Sequence, residues 1–458
     1  MFYNITQLNL LPFIISIPIL GILCILLMDE EKLSNNIKLL STWASAFAFL
    51  LTSIFLYLST EIKLSHFALE ITVFITMICV LTSKDEIIND VKKFHILLLF
   101  LESLLLCIFS TSSIITFFVL LELIVIIAFF LMGSFSKKSE IAFKFLFSQL
   151  CGSIFIFFAA VYIVSITGTA EIDIISKYTF SINQERIIFL TFLIGFAFQS
   201  ILFPKIHEQT TASISVFLSG VFFIIGIFGI ITILMPIAKN SFCVFQKYIL
   251  YLSIITMTYA VITASQQTDL KKNISYISLV HISIIIIGVF SCNINGIAGA
   301  FFNAISHSFI IPMMYIVTSI IENRFGDRNA NNLSNISRSF LSLSCFALIP
   351  ILSVIFTPLF PCFSGFILII SGYFPDHFLS TAVVCFITLC GSFHAIKVYA
   401  NMFFREENSS KKQSLNNNEL ICLAHCLLGI ILIGIFQKNI ISAISYSISF
   451  IDGGINDF

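Results

Sequence analysis

An all-α polytopic membrane protein of about fourteen transmembrane helices is predicted by three features of the sequence. Of 458 residues, 58% are hydrophobic and 10% charged, against about 25% charged in ordinary soluble domains. Apolar stretches recur from end to end at roughly 18–25 residues, the length at which a helix crosses a bilayer. No series of short alternating segments, the signature of a transmembrane barrel, is present, and only helices or closed barrels satisfy the backbone in hydrocarbon.

In chain order the apolar runs lie near 8–28, 39–59, 67–83, 94–110, 112–133, 145–167, 187–204, 213–237, 248–267, 274–292, 296–321, 340–374, 377–404 and 419–437. The first follows no basic leader and is long enough to span, so it reads as a helix and not as a cleaved signal. The seventh ends at Pro204, and Pro358 and Pro361 interrupt the twelfth. Two interrupted segments five spans apart fit an inverted five-helix repeat, and equally the ordinary kinking of long helices at proline. The polar stretches 169–186, 322–339 and 405–419 are each too short to build a core. The ending at 438–458 reads as a short interfacial helix.

The formal net charge of zero hides an asymmetry. Seventeen lysines and arginines fall beside the loops that follow odd-numbered spans, six beside the opposite loops, and Lys397 lies within a span. The positive-inside rule makes the odd loops cytoplasmic and puts both termini outside, which an even span count also requires.

Twelve cysteines suggest a redox framework until their places are read. Cys24, Cys79, Cys107, Cys151 and Cys385 each lie inside apolar runs, where cysteine acts as a small hydrophobe. With no CxxC pair and no phosphate-cradling glycine loop, neither metal nor other cofactor is expected. The lipid bilayer is the expected surrounding, and no nucleic-acid partner is indicated.

Glu122 stands mid-span in TFFVLLELIVIIAFFLMG. A carboxylate there costs about 2.5–3.5 kcal/mol to insert, so it is expected to face a bundle interior or wet cavity and to mark an ion path. Glu102, in FLESLL of the fourth span, needs a partner for the same reason, with His95 and Lys144 as candidates. Lys144 reads equally as a cytoplasmic anchor beside Lys137 and Lys138. His281, His307 and His394 lie within spans. A buried histidine is either a hydrogen-bonded core group or a proton carrier that uses both ring nitrogens. His394 and Lys397, three apart, share a helical face, unless Lys397 snorkels to the interface.

Three passages carry a family resemblance. The run LLFLESLLLCIFSTSSIITFFVLLELIVIIAFFLMGSFSKKSEIAFKFLFSQLCGS resembles the fourth to sixth helices of the antiporter-like subunits of respiratory complex I. Subunit M is the nearer likeness, and the Mrp-type multisubunit sodium/proton antiporters are relatives. QQTDLKKNISYISLVHISIIIIGVFSCNINGIAGAFFNAISHSFIIPMMYIVTSIIENRFGDR is similar to the family's stretch with two intramembrane histidines, and LFPCFSGFILIISG to its twelfth-helix break. The likeness covers about 94–404.

The resemblance implies two inverted five-helix repeats with broken seventh and twelfth helices. It divides the chain into N-terminal helices at 1–93, repeats at 94–237 and 246–404, and a terminal loop and helix at 405–458. It also implies a path for protons or sodium ions through Glu122, Glu102, Lys144, His281 and His307, to which their place within a span adds His394 and Lys397 as candidates, and partner membrane subunits in a bacterial inner membrane. Any electron transfer would belong to those partners.

Three departures accompany it. Gln199 stands where the family has the lysine that pairs with the Glu122 position. Ile224 replaces a second lysine, in the eighth span, and Ile369 replaces the twelfth-span glutamate of subunit M. Glutamine cannot carry a proton as a cation. The expected functions are therefore a subunit descended from a proton-translocating module with its standard cycle impaired, a sealing structural paralogue, or a separate cation transporter.

Overall fold

The structure, a computed structural model, describes residues 2–59, 61–200, 204–375, 377–405 and 413–452. Apart from the four-residue helices Ile172–Ile175 and Ile336–Ser339, its helices are α1 (Phe2–Leu26), α2 (Glu30–Leu58), α3 (Leu64–Glu86), α4 (Val91–Ile108), α5 (Ile114–Phe135), α6 (Glu140–Thr167), α7 (Ile182–Ser200) and α8 (Pro204–Gln209). There follow α9 (Ala212–Ile237), α10 (Lys239–Gln266), α11 (Leu270–Val289) and α12 (Ile294–Phe325). The chain ends with α13 (Leu341–Val354), α14 (Pro361–Tyr373), α15 (Phe378–Phe404), α16 (Asn417–Ile435) and α17 (Gln437–Asp452).

Eleven segments among the described residues are long and apolar enough to cross a membrane, one of them taking in both α7 and α8. The remaining passes of the predicted fourteen correspond to α1, to α4 with its three charged residues Lys92, Lys93 and Glu102, and to the pair α13 and α14. The break in the twelfth pass lies where the prolines put it. Pro361 opens α14, and Phe356 (φ 55°) and Leu359 (φ 84°) take left-handed backbone in the link before it. The corresponding link of the seventh pass, 201–203, lies outside the described residues, with Pro204 opening α8 after it. Lys411 and Lys412 also lie outside them.

Two compact units divide the chain. Met1–Leu202 with Gln209–Phe242 forms the first, and Phe203–Glu208 with Cys243–Phe458 the second. Each has one central helix, enclosed by protein on nearly all sides. In α9 and in α12, 94% of the most apolar window is buried, against 33% in α6 and α10.

Small residues let helices meet where lipid gives no hydrophobic drive to associate. In the first unit Gly152 of α6 faces Gly195 of α7, and a Cβ on Gly152 would sit 2.5 Å from Phe198 Cβ and 3.0 Å from the Gly195 carbonyl oxygen. In the second, a Cβ on Gly299 of α12 would sit 2.7 Å from Leu368 Cβ and 2.8 Å from the Gly365 carbonyl oxygen of α14.

Two helix starts are capped by carboxylates from other helices, which complement the positive end of the helix dipole. Glu86 accepts from the backbone N–H groups of Ala212 (3.1 Å) and Ser213 (2.9 Å) at α9. Buried Glu185 accepts from Ser241 N–H (2.8 Å) and Asn240 Nδ2 (3.1 Å) at α10. Two π turns, Leu218–Phe222 and Ile230–Leu234, interrupt α9 without any warning in the sequence.

Candidate proton path

In the second unit, α11 and α12 run antiparallel and exchange polar side chains along their length. Lys271 Nζ lies 3.5 Å from Glu322 Oε2, Ser275 Oγ 2.8 Å from Tyr315 Oη, and Ser278 Oγ 2.9 Å from His307 Nε2. The last rung leaves α12 for the broken pass: His281 Nε2 donates to the Val354 carbonyl oxygen at 3.0 Å. The His281 ring also stacks on Phe356, 4.6 Å between centroids, and lies 6.2 Å from the His307 ring. The helix break thus supplies both a freed carbonyl and an aromatic wall.

The steps between rungs on α11 are four, three and three residues, which keeps them near one face of a 3.6-residue helix. From α8, His207 stacks on Tyr315 with centroids 4.8 Å apart and planes 19° from parallel. The ladder is dry of charge except at one end. Lys271, His281, His307 and Tyr315 are all essentially buried, as is Asn303, one turn before His307 on α12. Neither amide atom of Asn303, nor His281 Nδ1, meets a hydrogen-bond partner among the described residues.

Charges gather at the Lys271 end. Arg328 Nε meets Asp269 Oδ2 at 2.5 Å, and its other nitrogens reach the Glu208 backbone oxygen (2.9 Å) and Glu208 Oε1 (3.7 Å). Lys272 also meets Glu208, at 3.1 Å, and Arg324 holds Glu419 of α16 through two contacts of 2.9 and 3.1 Å. In the loop after α12, hydrogen bonds from Asn332 Nδ2 and from Asn329 N–H hold the Asp327 carboxyl below its usual range.

His281 and His307, both expected on the path, thus lie on neighbouring rungs with their rings 6.2 Å apart. His394 on α15 is held apart from it, its Nε2 accepting from Asn273 Nδ2 at 2.9 Å. Lys397 is exposed on the outer face of α15. Ile369 is fully buried in apolar packing, its Cγ1 2.6 Å from where a Cβ on Gly288 would lie.

The first unit holds the other expected residues without joining them. Glu122 on α5 is partly exposed and makes neither an ion pair nor a hydrogen bond among the described residues, in place of the interior position expected for it. Lys144 is exposed on α6. Glu102 is completely buried on α4, and its contact is neither of the two expected. Ser45 of α2 donates to Glu102 Oε2 at 3.2 Å, while Ser41, one turn earlier, lies 2.9 Å from His95 Nδ1.

Gln199 is fully buried in the α6–α7 contact, where its Nε2 donates to the Gln149 carbonyl oxygen (3.4 Å) and Gln149 Nε2 donates to the Phe198 carbonyl oxygen (3.2 Å). Ile224 is buried on α9 between the two π turns. Among the described residues no group of three or more His, Cys, Asp or Glu is placed to hold a metal ion.

His207, Tyr315, Lys271, Glu322 and Ser275 were not singled out from the sequence. Ser275 and Ser278 do share the heptad-like spacing of Lys271, a signal that would have marked the α11 face.

The family described as NADH:quinone oxidoreductase/Mrp antiporter, TM, matches residues 111–393. NADH-quinone oxidoreductase subunit M of Rickettsia bellii is 25% identical over 84% of this chain and 81% of its own length. In three dimensions, a chain of respiratory complex I from Thermus thermophilus superposes with a TM-score of 0.86 at 19% identity, covering 97% of this chain and 100% of that one. A chain of the Mrp complex from Dietzia sp. does so with a TM-score of 0.82 at 12% identity, over 97% and 98% of the two chains.

Proposed function

The chain belongs to the NADH:quinone oxidoreductase/Mrp antiporter transmembrane family, and on that footing we propose that it handles protons through its second unit alone. It is a multi-pass, antiporter-like membrane subunit. The assembly proposed for it is of the complex I or Mrp kind, in a bacterial inner membrane with both termini outside. The redox chemistry of a complex I setting would reside in partner subunits.

The observation that carries this reading is the α11–α12 ladder ending at the break of the twelfth pass. Histidine takes a proton on one ring nitrogen and releases it from the other, and serine and tyrosine hydroxyls both donate and accept. The buried atoms of Asn303 and His281 that lack protein partners call for small hydrogen-bonding molecules, and water is the one that fits a proton path. Support for a silent first unit comes from the positions where the resemblance implies cations, although buried Glu102 and His95 also keep atoms without hydrogen-bond partners among the described residues. Gln199 is engaged with α6, Ile224 is apolar, and Glu122 pairs with no cation among the described residues.

The deciding measurement is proton uptake by the assembly reconstituted in vesicles, with and without sodium. His307→Gln and His281→Gln are expected to lower uptake by at least about tenfold while the assembly stays intact on a native gel. Glu122→Gln is expected to leave it unchanged. Full uptake in both histidine variants would favour the sealing paralogue, and uptake that fails without sodium would favour a cation transporter.

A further inference from the structure

Cys243 lies in the second turn of α10, and Cys292 lies in the four-residue turn between α11 and α12. Their Sγ atoms are 3.4 Å apart. Both carry thiols, Cys243 exposed and Cys292 half-exposed, whereas Cys79, Cys362, Cys422 and Cys426 are buried.

The turn that presents Cys292 is fixed from three directions. Gln246 Nε2, one helical turn beyond Cys243, donates to the Ser291 carbonyl oxygen at 3.1 Å. Tyr373 Oη donates to the Phe290 carbonyl oxygen at 3.0 Å, and Asn293 caps α12 by accepting from Asn295 N–H at 2.8 Å. Cys292 itself holds a left-handed backbone at φ 50°, a conformation that non-glycine residues adopt in only a few per cent of cases. An S–S bond of about 2.05 Å requires the sulfurs to close by about 1.4 Å. Cys243 is exposed on its helix while the turn of Cys292 is held by hydrogen bonds, so the closing movement falls to the Cys243 side chain.

We propose that Cys243 and Cys292 are a disulfide-forming pair, a redox modification site that ties the start of α10 to the turn before α12. The oxidant is a small or protein disulfide. One thiolate attacks a sulfur of the donor and releases one donor thiol, giving a mixed disulfide. The second thiolate then attacks the protein-side sulfur and releases the other donor thiol. The chain loses two protons and two electrons, and the donor disulfide is reduced to two thiols. The outward orientation proposed above puts this pair on the oxidising side of the membrane, where such bonds persist.

The test has two arms. The full-length protein, purified in detergent, is exposed to oxidised glutathione, capped with N-ethylmaleimide, digested and weighed by mass spectrometry. A linked pair of peptides spanning Cys243 and Cys292 is expected, two hydrogens lighter than the separate thiol peptides and lost on reduction. In Cys243→Ser the linked species disappears and Cys292 carries glutathione instead. If both cysteines of the wild type are capped independently after oxidation, the pairing is overturned. In the second arm, cells are alkylated before lysis. The linked pair is expected there too, and reduced thiols in cells alongside linkage in the purified protein would overturn the outward orientation and leave the pairing standing.

Discussion

Lys271 and Glu322 close the charged end of the α11–α12 ladder, 3.5 Å apart, with the lysine side chain 3% exposed and the glutamate 24%. The difference in burial makes the pair asymmetric. Glu322→Gln leaves an ammonium in the interior without its carboxylate, and breaking a buried pair in that way costs about 3–5 kcal/mol. Lys271→Met leaves a carboxylate that water reaches and that Arg328 approaches at 4.0 Å, so its cost is about 1 kcal/mol. Thermal unfolding of the two variants in detergent checks the order, and equal losses would refute it.

The contact of Gln199 with Gln149 predicts the effect of restoring a lysine. Gln199→Lys puts an ammonium into a fully buried helix contact, where a charge without a paired anion costs several kcal/mol. The variant is expected to melt lower than the wild type and to take up no more protons. A gain in uptake would show that Glu122 answers the new charge after all.

At Gly152 the prediction is steric. Alanine would drive its Cβ to 2.5 Å from Phe198 Cβ and 3.0 Å from a backbone oxygen, and neither is the far end of a flexible side chain. Overpacking of this kind costs about 1–3 kcal/mol. A thermal-shift assay of Gly152→Ala that showed no loss would mean that α6 and α7 separate more readily than their close contact indicates.

Glu86 holds two backbone N–H groups at the start of α9. Glu86→Ala removes both acceptors and the charge at the helix N-terminus, at about 1–2 kcal/mol. Glu86→Gln keeps one good acceptor and is expected to recover about half of the loss, as read from hydrogen exchange at Ala212 and Ser213.

Part of the proposed path was legible in the sequence, and the limits of that reading have a physical cause. His281 and His307 stood out because a titratable group in an apolar run is costly and therefore informative. Glu122, Lys144 and Lys397 met the same criterion, yet they stand partly or fully exposed on their helices. Their helices are apolar on nearly all sides, so hydrophobic periodicity gives depth in the membrane and no rotation about the helix axis. Tyr315 and Ser275 escaped notice for the complementary reason, since a hydroxyl is inexpensive in a helix and becomes informative only once its partner is known.

The sequence by itself determined the class, the number and length of the passes, and the proline-marked break of the twelfth. Each of these follows from burial in hydrocarbon and from backbone geometry, which act residue by residue. Only the tertiary structure decided that Ser278 meets His307, that Glu102 meets Ser45, and that Gln199 is spent on α6. A hydrogen bond demands a register of about 3 Å between helices. Glycine contacts and side-chain packing set that register, between residues that lie tens of positions apart in the chain.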